Sequence, residues 1–359
     1  MKRKTGFLVG IMVVLCLISF VIIKIAGGKN INPVENEDSD EIVILTSFYP
    51  MYVLTLNLVD GVDRVRVVNL TENQTGCVHD YQLTTKDMRE IADADIVILN
   101  GGEMEEFMEG VIDNYPELKI IDASEGIEFL KGIAHDHDHE EAEGNHEEDH
   151  AATGSHHEGD DVATESEHEE SNAATAQEEV DSHHHHSDIN GHVWMNMDLY
   201  QKQIMSVTSK LSEYDKANAD AYKKNAQSYS DKVNALKEEF QDVYQLAAGK
   251  EIVIFHDAFA YLAQQLNMEV VGVVDTDSES ALSAGELAEV VEEIKLHSIK
   301  YLFTEEQYST VVANRVAKET DATVYVMDSL VTGEADKGAY LNGMHNNLEM
   351  LRHAFSINN

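Results

Sequence analysis

Ile252-Val253-Ile254-Phe255-His256-Asp257-Ala258-Phe259-Ala260-Tyr261-Leu262 is the stretch that decides the fold. Four apolar residues in succession, three of them β-branched, read as a buried strand. The run stops on a histidine, and from Ala258 to about Leu266 the apolar positions take up helical spacing. A buried strand that passes at once into a helix is half of a βαβ unit, which implies parallel neighbours and right-handed crossovers.

The same grammar continues on both sides. Downstream come a strand at 270–274 and Ser283 with Glu286 as a capping box for a helix at 287–297. Then follow the strand Tyr301-Leu302-Phe303, a helix at 310–319, a strand at 323–327 ending on Asp328, and a closing helix at 340–355. Upstream, Ile42-Val43-Ile44-Leu45 is a strand running into Thr46-Ser47-Phe48-Tyr49-Pro50, followed by a helix at 51–59 and a strand at 65–70. Thr84 with Asp87 starts a helix that reaches about Ala94. A strand at 96–99 closes on Asn100-Gly101-Gly102, a helix spans 104–114 and a short strand 119–121. The expected fold class is α/β: two lobes of parallel β-sheet flanked by helices.

Between the halves, 197–211 and 218–246 are helical and contain neither Gly nor Pro. The second would be about 43 Å long at about 1.5 Å per residue. Its buried stripe is Tyr222, Ala226, Tyr229, Val233, Leu236 and Phe240. One long rigid helix therefore joins the lobes as a strut. The expected division is 1–28 signal or membrane anchor, 29–41 tether, 42–213 first lobe, 214–248 linking helix and 249–359 second lobe. A disordered insertion at 132–189 interrupts the first lobe.

That insertion is unusual in composition. Residues 135–188 hold twelve of the 18 histidines and nineteen Asp and Glu, with no Lys or Arg. So little apolar surface cannot offset the entropy of ordering. Imidazoles interleaved with carboxylates are ligands for divalent transition metals. The segment carries −19 of the net charge of −42, leaving −23 for the rest. No basic footprint for nucleic acid exists, whereas the charge suits an exported protein that handles cations.

Met1-Lys2-Arg3-Lys4 precedes an apolar run at 7–25, broken only near its end by Lys24. This is a signal sequence or anchor with its basic end in the cytoplasm, and the chain is expected at the outer face of the cell membrane or in the periplasm. Leu15 before Cys16 is too large for a lipoprotein cleavage site, so an uncleaved anchor is favoured. Cleavage near Gly27 comes second and lipidation at Cys16 third. Cys77 is the other cysteine of 2, so the exported part has no internal disulfide.

Six histidines remain outside the insertion: His79, His192, His256, His297, His345 and His353. His256 and Asp328 each follow a buried strand, and His79 follows the 65–70 strand after a turn. Ligands of open α/β sheets bind at the carboxyl ends of strands, so these residues mark a metal site in the cleft between lobes. His192 lies beside the only tryptophan, Trp194, in an apolar Val193-Trp194-Met195 context that must be packed. Each also has a plain reading, a backbone-bonded histidine for His256 and a turn cap for Asp328. His297, His345 and His353 read as helix-surface residues. Cys77 could serve as a thiolate ligand beside His79.

Together these passages carry a resemblance. Thr46-Ser47-Phe48-Tyr49-Pro50, His79-Asp80-Tyr81, Lys86-Asp87, Ala92-Asp93-Ala94-Asp95, Asn100-Gly101, His192-Val193-Trp194, residues 222–229, residues 255–262 and residues 340–351 occur in the order and spacing of one family. The chain resembles the metal-binding solute-binding proteins of ABC importers, the zinc- and manganese-uptake class with a rigid interlobe helix, over about residues 42–355. The resemblance implies one metal held by His79, His192, His256 and Asp328, captured outside the membrane and delivered to an ABC permease in the cytoplasmic membrane. A monomer is expected. A long His- and acid-rich loop at this place is typical of zinc-selective members. Cys77 stands where the family usually has proline, and Asn190-Gly191 where Asp-Pro commonly precedes the second histidine. The fourth ligand stays open between Asp328, water and Cys77.

Three imidazoles and a carboxylate suit Zn²⁺, whereas Mn²⁺ prefers more oxygen, so zinc is favoured and manganese second. Two other classes compete. A surface metal buffer or adhesin would use the loop alone, with many weak sites. A metallohydrolase needs a general base near the metal; outside residues 135–188 no His-Glu-x-x-His pattern is present, and Asp257 beside His256 is the sole candidate. The reading is of a binding protein, not an enzyme.

Overall fold

The computed structural model describes residues 41–72, 76, 78, 81–112, 114–132, 189–274, 283–305 and 310–357. The expected anchor, the tether up to residue 40, Cys77, His79 and the His-rich segment 135–188 lie outside the described residues.

Two four-stranded sheets form, every pairing in them parallel. The first contains β1 (Ile42–Thr46), β2 (Val65–Asn69), β3 (Ile96–Leu99) and β4 (Lys119–Asp122) in the order β2-β1-β3-β4. The second contains β7 (Glu251–Ile254), β8 (Glu269–Val273), β9 (Tyr301–Glu305) and β10 (Thr323–Met327), ordered β10-β9-β7-β8. Read from its other edge this is β8-β7-β9-β10, the same winding repeated. Each sheet therefore reverses strand order once, between β1 and β3 and between β7 and β9, which is where an open α/β sheet leaves a crevice. The remaining strands, β5 (Leu130–Lys131) and β6 (Ile189–Asn190), make a two-rung antiparallel stem on either side of the His-rich insertion. Periodicity does not reveal that stem, because two residues are too few to show a period.

Both faces of the central strands β1, β3, β7 and β9 are covered, which is why these strands carry unbroken apolar runs. Ile44, Ile96, Ile98 and Ile121 of one sheet and Ile252, Ile254, Tyr301 and Phe303 of the other face a single core continuous through both lobes. Leu45 and Val97 turn to an outer core of the first sheet, Val253 and Leu302 to one of the second. The shared core is filled by helices α1 (Tyr49–Leu58), α4 (Met197–Tyr214), α5 (Ala219–Glu239), α7 (Phe259–Gln265) and α10 (Ala339–Ile357). Between the sheets Tyr200 stacks on Tyr340 at 3.8 Å between centroids, and its hydroxyl lies 3.1 Å from that of Tyr229.

Local chemistry sets the helix starts. α2 (Thr85–Ala92) opens on a capping box, Thr84 Oγ1 accepting from Lys86 and Asp87 N–H while Asp87 accepts the Thr84 N–H at 2.7 Å. α8 (Ala284–His297) repeats the device with Ser283 and Glu286. The α3 turn (Glu109–Ile112), preceded by a 3₁₀ turn at Glu106–Met108, is shorter than the helix expected at 104–114. α9 (Val311–Glu319) lies before β10.

The strut differs from the single helix expected at 218–246. Its stripe of Tyr222, Ala226, Tyr229, Val233 and Leu236 is buried as expected, but the helix ends at Glu239 and restarts as α6 (Gln241–Ala247). A distant residue sits at the break. Arg352 of α10 donates to the Glu239 carbonyl, forks onto both Asp242 oxygens at 2.7 Å, and lies 4.3 Å over the Phe240 ring. The junction carbonyl is thus satisfied from another helix, and the last turn can break.

Candidate metal centre

The centre forms where the second sheet reverses its strand order. His256 follows β7, Glu305 ends β9 and Asp328 follows β10, so the three stand in a row across adjacent strand ends. His192 comes from the first lobe, on the short segment between β6 and a 3₁₀ turn at Val193–Met195. The two imidazoles, both at most 1% exposed, meet edge to face with centroids 4.8 Å apart. Ligand atoms of His192, His256 and Asp257 all lie within 4.8 Å of one another, a spacing a single cation can span.

Each ring is turned by its Nδ1. Glu305, fully buried, places Oε2 2.8 Å from His256 Nδ1. Asn190 Oδ1 lies 3.0 Å and Asp257 Oδ1 3.3 Å from His192 Nδ1. The Asn190 amide is oriented unambiguously, because its Nδ2 donates to the Asp257 carbonyl at 2.9 Å and its Oδ1 accepts the His192 N–H at 3.0 Å. Acceptors at both Nδ1 atoms put the ring protons there and leave the lone pairs on Nε2. Carboxylate-held histidines of this kind are the usual support of metal ligands, fixing tautomer and raising basicity.

A second polar layer holds the His192 segment from the first lobe. Asn100, at the end of β3, donates from Nδ2 to the Gly191 carbonyl at 2.9 Å, and Gln203 Nε2 donates to Asn100 Oδ1 and Ser124 Oγ. Glu105 lies beneath, accepting from Ser47 Oγ, Asn100 N and Gly101 N at 2.7, 2.7 and 3.1 Å. Burial pushes the Glu105 carboxyl up to about 7 despite these three donors, and the Asp122 charge adds to the rise. Gly191 is required here: a Cβ on it would fall 2.4 Å from the Gly102 carbonyl oxygen. The Asn190-Gly191 pair thus supplies an amide that orients the ring, then a close backbone approach.

Of the residues expected from the sequence, the structure brings His192 and His256 together. Asp328 is not in their cluster; its Oδ1 accepts the Leu330 N–H at 2.8 Å. The neighbouring Ser329 carbonyl accepts from Trp194 Nε1 at 2.8 Å, which ties this strand end to the His192 segment. His79 and Cys77 fall outside the described residues. His345 and His297 are surface residues, 3.9 Å from Glu239 and 3.5 Å from Glu293 respectively. Asp257 joins the cluster, its Oδ1 lying 3.3 Å from His192 Nδ1 and 3.8 Å from His256 Nε2. Glu305 was not singled out by sequence; its one signal was an acid at the end of a buried apolar run.

Comparison with known proteins agrees with this geometry. Residues 44–354 match the family described as ZnuA, zinc-uptake complex component A, periplasmic. The chain is similar to the high-affinity zinc uptake system protein ZnuA of Bacillus subtilis, 26% identical over 344 residues, covering 94% of this chain and 95% of that protein. It is also 26% identical over 318 residues to the zinc-binding protein AdcA of Streptococcus pyogenes, covering 87% of this chain but only 56% of that protein. This chain thus spans about half the length of AdcA. Among solved structures, the SBP FpvC of Pseudomonas aeruginosa in complex with Ni²⁺ has the same fold, with a TM-score of 0.67, 20% identity and coverage of 89% of this chain and 98% of that one. A two-lobed α/β fold with paired interlobe histidines, matched from residue 44 to residue 354, makes this chain a member of the zinc-uptake complex component A family.

Proposed function

We propose that the chain captures Zn²⁺ outside the cytoplasm and delivers it to the permease of an ABC importer. The observation that carries this reading is the pair of buried imidazoles, one from each lobe, each held through Nδ1 and in edge-to-face contact with centroids 4.8 Å apart. His192 and His256 bind through Nε2, His79 supplies a third imidazole, and Asp328 supplies the fourth contact from the end of β10. Asp257 and Glu305 act as orienting carboxylates. Nitrogen-rich ligation favours zinc over manganese. Because imidazoles bind only when neutral, affinity falls with pH below about 6.5.

The protein works as a monomer, with residues 42–213 and 249–359 as lobes and 214–248 as the strut. It is held at the membrane by residues 1–28. Among the described residues no helix is long and apolar enough to cross a membrane, and the proposed anchor lies outside them.

Calorimetric titration of metal-free protein with zinc and then manganese tests the reading. One tight zinc site is expected, surviving deletion of residues 135–188 and disappearing in His256→Ala. Loss of all zinc binding on the loop deletion would instead make the loop the whole site.

A further inference from the structure

The stem of the insertion is not closed by its own backbone alone. Leu130 and Asn190 stand opposite each other across β5 and β6. The Leu130 N–H donates at 3.0 Å to the hydroxyl of Tyr261, and that hydroxyl donates at 2.7 Å to the Asn190 carbonyl. A side chain of α7, in the second lobe, is thereby spliced into a rung of a first-lobe hairpin. We propose that Tyr261 is an interlobe latch, a positioning residue whose hydroxyl holds the first-lobe stem and the attached His192 segment against the second lobe and so slows escape of metal from the cleft.

Four features carry this. Tyr261 is fully buried, and both bonds of its hydroxyl join protein groups. Burial also pushes the phenol up to about 12, which keeps it a donor throughout the physiological range. Asn190 is a hub: its carbonyl takes the Tyr261 proton, its Oδ1 holds His192, and its Nδ2 reaches the Asp257 carbonyl at 2.9 Å. Finally, Tyr261 and His256 belong to one short strand-to-helix passage. Movement of the lobes apart must therefore break the Tyr261 and Asn190 bonds along with any bond from the metal.

The inference rests on the reading that metal sits between His192 and His256, and its test separates the two. Tyr261→Phe removes one oxygen and keeps the ring. In metal-free protein, hydrogen exchange at residues 127–131 and 189–195 should accelerate, which needs no metal. In zinc-loaded protein, stopped-flow transfer of zinc to a chelator should be about tenfold faster, with association unchanged. A wild-type protein without a tight zinc site would sink the functional reading but leave the exchange result standing. A disulfide between Lys131→Cys and Ile189→Cys in the Tyr261→Phe background then closes the stem without the second lobe. Zinc release should stay fast in that variant. Wild-type release from Tyr261→Phe, or slow release restored by the disulfide, would overturn the latch.

Discussion

Raising the pH should destabilise metal-free protein through a single buried carboxyl, Glu105. Its side chain takes three hydrogen bonds from Ser47, Asn100 and Gly101, yet burial holds its carboxyl at about 7 against a usual 4.5. An unfolded chain ionises this group at lower pH than the folded one does, so the folded state binds the extra proton between those values. Stability is then present in full below about pH 4.5 and is lost as the pH rises to about 7. At about 1.36 kcal/mol per pH unit, a gap of about 2.5 units corresponds to about 3 kcal/mol. Other groups titrate too, so the measurable quantity is a difference. Urea unfolding of wild type and Glu105→Gln, both freed of metal, would be followed at pH 5, 6, 7 and 8. The variant gives up an acceptor for Gly101 N–H and starts less stable at pH 5, where part of the loss has already occurred, but it should gain on wild type by about 2.5 kcal/mol by pH 8. A stability difference that stays flat from pH 5 to pH 8 would refute the argument, showing Glu105 to be ionised throughout. Because Glu105 holds Asn100, which holds the Gly191 carbonyl, the same titration loads the wall that carries His192.

Two further outcomes concern the site itself. Glu305→Gln keeps an acceptor for His256 Nδ1 but removes the charge, and zinc affinity should fall by about 10–100-fold, as measured by competition with a calibrated chelator; affinity within about twofold of wild type would contradict the orienting role. Gly191→Ala drives a Cβ to 2.4 Å from the Gly102 carbonyl, a backbone atom that cannot swing aside, and should cost about 1–3 kcal/mol in calorimetric melting of the metal-free protein.

Much of this architecture is legible from one chain. Ile252-Val253-Ile254-Phe255 is apolar on both faces because both faces are buried, and the alternation with helices leaves parallel pairing as the consistent arrangement. Thr84 with Asp87, and Ser283 with Glu286, announce helix starts because the capping partners lie three residues apart. His256 and Asp328 stand out as polar residues placed where a buried run ends. All these signals are local, and they determined the fold class, the strand ends and the second-lobe candidates.

What tertiary structure alone decided depends on residues far apart in the chain. The carboxylate that turns His256 lies 49 positions away, and the hydroxyl that closes the Asn190 rung lies 71 positions away. Where the strut breaks at Phe240, the Glu239 carbonyl is taken by Arg352, 113 positions away. None of these partners has a spacing that repeats, so no period in the sequence exposes them. Hydrophobic pattern dictates which residues are buried, but only the packing of one lobe on the other dictates which buried polar groups meet.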